Sequence, residues 1–387
     1  MTMEMNNEQL LKDIQHFNFV DALRGWAFMA VLMTHVNMRL VFPSAAASLL
    51  VPGTEHGVQL FFVVSAFTLF FSLHLRKMKK QGSLTAFLIR RFFRVAPLFW
   101  VAAFFYLASQ GFKSLYGIPH EVTPWRVLST FLFLHGWLPD TINNVVPGGW
   151  TVAVEMSFYL LLPVFFKYVS SFKKALICLV SLLAFYAVAN FFYGHYGLPA
   201  SCPREQAELF LRFWLPSQLP VFSLGFILFF LVRKRLDDGS LGMGSAERGK
   251  EKRRAGALLL IAAGVLFFAR SLNTDSSYHH LVFGAGFFFL GWALAVRPFS
   301  FFVNRFTDYV GKVSYSGYLC HFFVVDVVVS SFFKLAMKYH WPFLPNVYFI
   351  ALYLVALAVT LGVSTLTYQW IETPFQNLGK RINHKKL

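Results

Sequence analysis

Apolar residues gather along this chain in long unbroken runs rather than in alternation. Runs of spanning length fall at about 18–42, 57–75, 87–109, 150–169, 174–193, 212–233, 255–271, 279–297, 312–335 and 346–371. Each is long enough to cross a hydrocarbon core roughly 30 Å thick as a helix. An open sheet edge cannot be satisfied in hydrocarbon, and these runs lack the two-residue period of barrel strands, so the spans are predicted to be helical. The expected fold is an all-α, polytopic integral membrane protein with about ten transmembrane helices. A shorter apolar stretch, Trp125 to Leu138, is bracketed by Pro124 and Pro139. It is predicted to lie at the interface or re-enter the bilayer rather than form an eleventh span.

Composition supports lipid as the solvent. With a mean hydropathy of +0.55, 14% charged residues and 48 phenylalanines, the chain carries more apolar surface than one soluble core can hide. A net charge of +17 would suit nucleic acid, but its placement argues otherwise. With the N-terminus inside, the cytoplasmic segments hold 26 Lys and Arg against 8 outside, an asymmetry that an odd number of spans would scramble. Both termini are therefore expected in the cytoplasm, with membrane lipids and no nucleic acid as partners. Cys178, Cys202 and Cys320 are far apart and form no metal-like spacing, so neither a disulfide framework nor a metal site is expected. Residues 1–16 lack a basic lead and a cleavage site, and the first apolar run is expected to stay as an anchor. The expected organisation is an N-terminal tail (1–16), a membrane domain (17–375) and a basic tail (376–387). The insert 233–254 reads as a solvated loop. The outer stretch Gly111 to Gly149, with four prolines, reads as a lid or vestibule.

Ionisable residues inside spans are costly and so mark candidate chemistry. Arg24 and His35 are eleven residues apart in the first span, three helical turns plus about 20°, which places them on one face about 16 Å apart along the axis. Arg24 alone reads equally well as a snorkelling anchor, and His35 alone as a satisfied structural histidine. Glu155 shifts that balance. By the topology it lies about 8 Å below the outer boundary and His35 about 10 Å below it, so the two reach one depth from opposite directions. A carboxylate there would orient the imidazole. The alternative is an ion pair between helices. Arg90, Arg91 and Arg94 crowd the cytoplasmic end of the third span, with Arg90 and Arg94 at the spacing that shares a face. Guanidinium clusters suit phosphates, although a positive-inside flank accounts for the neighbouring lysines.

Six segments in order resemble the membrane acyltransferase family 3, which O-acylates cell-envelope polysaccharides and related carbohydrates. They are Asp21-Ala-Leu-Arg24 followed by His35; Leu60 to Phe67; Arg90 to Pro97; Trp150-Thr-Val-Ala-Val-Glu155-Met-Ser-Phe-Tyr159; Gly311 to His321, with Tyr315 inside it; and Tyr368 to Phe375. Together they run from about 17 to 375. The sequence departs from the pattern at Ala66, where such proteins commonly carry glycine after the serine of the second span. The resemblance implies an essential arginine and histidine in the first span, here Arg24 and His35, and an acyl-CoA donor, usually acetyl-CoA.

The expected activity is a membrane O-acyltransferase that moves an acyl group, acetyl by resemblance, from acyl-CoA to a hydroxyl of a carbohydrate or lipid-linked glycan. His35, oriented by Glu155, is the expected general base. Arg24, Arg90, Arg91 and Arg94 are expected to hold the phosphates of the donor, with Tyr315 and His321 lining its channel. Asp21, Ser65, Trp150 and Tyr159 are further candidates, Ser65 as a nucleophile or as a hydroxyl bonded to its own helix. Glu372 is expected to be structural, paired with a loop arginine. The chain runs only fifteen residues past Glu372, so the spans are expected to act without an appended hydrolase-like domain. The alternatives are a proton-coupled transporter using His35 and Glu155 as a relay, and a scaffold for glycan export.

Overall fold

The computed structural model describes residues 18–78, 83–110, 122–198, 202–237, 245–272 and 278–384. The N-terminal tail 1–16, Lys79, Lys80, residues 111–121 of the outer stretch, residues 238–244 of the insert and the last residues of the basic tail lie outside them. The described residues contain ten helices long and apolar enough to span a membrane and no strand. We number the spans α1 (Asn18–Met38), α2 (Gly57–Met78), α3 (Leu84–Gln110), α4 (Trp150–Tyr168), α5 (Phe172–Phe192), α6 (Leu215–Asp237), α7 (Ser245–Ser271), α8 (His279–Val296), α9 (Ser314–Lys338) and α10 (Pro345–Thr367).

The stretch around Trp125 forms only the eight-residue helix Pro124–Phe131, about 12 Å long and too short to span. Thr123 caps it, and Pro124 occupies the first turn, where no N–H is needed. Turns come next and fold inward. His135, Thr141, Ile142, Asn144, Val145 and Val146 are all buried, so the described part of the outer stretch is a packed cap on the bundle.

α1 runs through the middle, packed by α2, α8, α9, α10 and a short helix, Arg305–Lys312. α2 and α6 are largely buried, while α5 and α7 show most of their surface outward, as expected of helices solvated by lipid. The contact between α1 and Arg305–Lys312 is possible because two positions lack a side chain. A Cβ on Gly311 would sit 1.8 Å from the Asp21 carbonyl oxygen, and one on Gly25 would sit 2.3 Å from that of Thr307. Ala66, the departure from the family pattern, is fully buried against Gly225 of α6, where an added Cβ would approach the Ala66 Cβ to 2.6 Å. The glycine needed for close packing of α2 is thus supplied from the opposite helix.

The last span does not stop at Thr367. It widens into a π turn, Tyr368–Glu372, and continues as Thr373–His384 against α3. Such a turn inserts one residue and rotates the rest of the helix about its axis, and it commonly marks a functional position. Here it carries Glu372 into the protein at 2% exposure.

Candidate active site

Between α1, α2, α3, α4 and α9 lies a narrow cavity with about 80 Å³ of free volume. Its wall includes Arg24, Arg91, Arg94, Glu155, Ser65, Tyr159, Tyr315 and Tyr318. Three guanidiniums therefore face one carboxylate. Arg24 gives one N–H to Asp21 at 3.2 Å and another to Thr68 Oγ1 at 3.2 Å. Glu155 Oε1 accepts from Ser65 Oγ at 2.8 Å and from the Tyr159 hydroxyl at 2.6 Å. Arg24, Arg91 and Arg94 all lie within electrostatic reach of Glu155. A cavity with this excess of fixed planar cations is built for an anion that brings several oxygens.

Arg91 and Arg94 line the cavity, but Arg90 does not, and its buried Nη2 has no hydrogen-bond partner. The expected pairing of Arg90 with Arg94 is thereby replaced by Arg91 with Arg94. At 100° per residue Arg94 lies between its two neighbours on the helical wheel, and the cavity is on the Arg91 side. Ser65 does not bond back to its own helix; its hydroxyl reaches across to α4. Tyr315 lines the cavity and donates to the Val95 carbonyl at 2.7 Å. Trp150, at the start of α4, stacks on Phe213 with ring centroids 4.1 Å apart, which makes it a packing residue rather than part of the cavity wall.

Two expected arrangements are corrected. Glu372 does not pair with a loop arginine. Ser316 Oγ donates to it at 2.8 Å and Gln376 at 2.9 Å, and its nearest cation in electrostatic terms is Arg94 of α3. Nor does Glu155 reach His35. The half-buried His35 ring instead meets His321 of α9, with His35 Nδ1 and His321 Nε2 3.3 Å apart. The depth expected from counting residues does not hold: His35 packs on Phe322, which touches Gly148 at the outer start of α4, whereas Glu155 is seven residues, about 10 Å, further inward, bonded to Ser65 and in reach of Arg24. His321 does not line the cavity wall, where a donor channel would have needed it; it is fully buried behind Tyr318 and Phe322, with its ring 4.0 Å from that of Phe322. Tyr318 is thus shared, lining the cavity on one side and meeting His321 on the other at a ring separation of 5.5 Å. Its hydroxyl donates to the carbonyl of Gly148 at 3.1 Å, and Gly148 itself has φ +70°, with Phe322 so close that a Cβ would clash. Tyr318 was not among the residues expected from the sequence, although a signal for it was there. It stands midway between Tyr315 and His321 at i+3 spacing, in one polar stripe along an apolar helix.

The described residues contain no group of His, Cys, Asp and Glu that could hold a metal ion. A membrane bundle of ten helices, with a cationic cavity and a histidine pair beyond its tyrosine wall, defines a class of polytopic protein equipped for an anionic ligand. Comparison with known proteins makes the class specific: residues 17–368 match the family described as "Acyltransferase domain", and the chain belongs to it. The chain is similar to "Putative O-acetyltransferase SACOL0978" of Staphylococcus aureus (strain COL) and "Putative O-acetyltransferase SAS0844" of Staphylococcus aureus (strain MSSA476), at 23% identity over 95% of this chain and 58% of each relative. It therefore spans somewhat more than half the length of the curated relatives it matches. No solved structure matches it.

Proposed function

We propose that this protein is a membrane O-acyltransferase that takes an acyl group, acetyl in the first instance, from acyl-CoA and passes it to a hydroxyl of a carbohydrate or lipid-linked glycan. The observation that carries the reading is the cavity that gathers Arg24, Arg91 and Arg94 around Glu155. Coenzyme A has phosphates at one end of a long arm and a thioester at the other. The arginines hold the phosphates at the basic end of the bundle, and the arm runs along α9 past Tyr315 to Tyr318. There the thioester carbonyl comes next to the wall behind which His35 and His321 stand. His35 takes the proton from the attacking hydroxyl; the oxygen forms the new ester bond as the carbon–sulfur bond breaks, and the imidazolium returns the proton to the leaving sulfur, so that CoA departs as its thiol. Tyr318 and Phe322 must turn aside for this, since they separate the cavity from His35 in this structure. Glu155, fixed by Ser65 and Tyr159, sets the spacing of the arginines. Family membership and the names of the relatives support acyl transfer, and the charge of the cavity supports a phosphate-bearing donor.

The test is binding of acetyl-CoA to detergent-purified protein, followed by transfer of labelled acetyl to glycan in membranes carrying the chain. Replacing both Arg24 and Arg91 by alanine should weaken binding at least about tenfold, the scale of losing charge-assisted hydrogen bonds. His35→Ala should leave binding intact and lower transfer roughly 100- to 10,000-fold, the range of a general base. Unaltered acetyl-CoA binding in the double arginine variant would remove the donor assignment, and surviving transfer in His35→Ala would remove the base.

A further inference from the structure

The two histidines beyond the tyrosine wall are held so that only one of their four ring nitrogens offers a free lone pair. His321 Nδ1 lies 2.8 Å from the carbonyl oxygen of Tyr318, and His35 Nδ1 lies 2.8 Å from that of Val31. A carbonyl oxygen can only accept, so in each neutral ring the proton is on Nδ1 and the lone pair on Nε2. Between the rings, His35 Nδ1–H then faces the lone pair of His321 Nε2 at 3.3 Å. Had the two carbonyls fixed the opposite pattern in either ring, the contact would have set two protons or two lone pairs against each other. As built, the bonds run one way, from His35 Nδ1–H to His321 Nε2 and from His321 Nδ1–H to the α9 backbone.

We infer that His321 is the positioning residue of the reaction and that the proton-accepting atom is His35 Nε2. The inference rests on the acyl-transfer reading above and takes His321 out of the donor channel. When His35 Nε2 accepts the proton of the acceptor hydroxyl, the ring becomes an imidazolium, and its Nδ1–H bonds to Val31 and His321 become charge-assisted and stronger. His321, fully buried and edge-on to Phe28 at 6.1 Å, has no freedom to turn away. The Val31 carbonyl fixes the tautomer, and the lone pair of His321, sharing the same Nδ1–H, aims the ring and stabilises the charge that forms, as a carboxylate does in a Ser-His-Asp arrangement. A neutral imidazole does this without placing a second charge in the apolar part of the bundle, where an ion would be costly.

The experiment compares His321→Ala and His321→Gln with wild type and with His35→Ala, using acetyl-CoA as donor and membranes carrying the chain as the source of acceptor. Three quantities are read: the maximal rate, the acetyl-CoA concentration for half that rate, and acetyl-CoA binding to purified protein. His321→Ala should lower the maximal rate roughly 10- to 100-fold, the range of a hydrogen bond to a charged group, with the other two quantities unchanged. His321→Gln, whose amide oxygen can accept from His35 Nδ1–H, should recover a substantial part of the rate. An unchanged rate in His321→Ala overturns the inference and leaves the acyl-transfer reading in place. Weakened acetyl-CoA binding in that variant, or a glutamine variant as slow as the alanine one, likewise overturns it, since His321 would then hold donor or fold rather than His35. Full activity in His35→Ala would strike the acyl-transfer mechanism itself and not only the role of His321.

Discussion

Among the described residues, Glu155 is the only carboxylate on the cavity wall, and three guanidiniums face it. In a medium of low dielectric, like charges this close would push the helices apart unless something offsets them. The carboxylate does so in the absence of ligand, and a polyanionic ligand would do more. Glu155→Gln keeps the size of the side chain and can still accept from Ser65 and Tyr159, but it removes one of the carboxylates that offset the arginines, leaving Asp21 beside Arg24 and Glu372 in reach of Arg94. The expected result is a protein less stable by roughly 1–3 kcal/mol, seen as earlier thermal inactivation in detergent. Added 3′-phosphoadenosine 5′-diphosphate, which carries the phosphates of CoA without its arm, should restore the melting temperature of the variant more than it raises that of wild type. Equal stability with and without the carboxylate would mean that the arginines are not in electrostatic competition. That this residue matters was legible in the sequence, since a carboxylate in a span is expensive; that it balances arginines rather than a histidine was not.

Helix contacts decide the next scale. α1 brings Arg24 and His35 to their places only because Arg305–Lys312 lies directly against it, and Gly311 is where the two backbones meet. Gly311→Ala puts a methyl group inside the van der Waals radius of the Asp21 carbonyl, with backbone rather than a flexible side chain in the way. The helices must separate, and Arg24, ion-paired to Asp21, moves with them. Overpacking of this kind costs about 1–3 kcal/mol or more. The variant should therefore be less abundant in membranes and bind acetyl-CoA more weakly, while alanine at the lipid-facing Gly264, where an added Cβ meets nothing, should be neutral by both measures. The π turn at Glu372 belongs to the same scale. The sequence placed Glu372 near the end of the last span, but a single inserted residue in the helix turned it inward toward Ser316 and Arg94.

For the whole molecule, the unequal distribution of basic residues predicts an orientation, with the end bearing Arg91, Arg94 and the basic loops inside and the cap of residues 122–149 outside. Cys202 offers a native probe of that arrangement. It lies between two spans at the capped end, partly accessible, whereas Cys178 and Cys320 sit within spans. A maleimide that cannot cross membranes should label Cys202 from the outside and leave the other two untouched. Burial and the nearby Asp140 carboxylate push the Cys202 thiol up from its ordinary value, so less of it is thiolate at neutral pH. Labelling should accordingly be slower than for an unstructured cysteine at pH 7 and accelerate as the pH rises. Labelling from the inner side alone would invert the topology and with it the side from which the donor enters.

The number of spans, their boundaries to within a few residues in most cases, and the residues that carry unusual cost were all determined by the sequence. The hydrocarbon core imposes a length on each apolar run and a penalty on each charge in it, and both act on one segment at a time. Which costly residues meet was decided only by tertiary structure, because partnership depends on how each helix is rotated about its axis and how close a neighbour can come. Counting residues from an assumed boundary gives a common depth only if every helix starts at one level and runs upright, and tertiary packing decides both. Hence Glu155 lies inward with Ser65 and the arginines, His35 lies further out, and His321 stands where the carboxylate was expected.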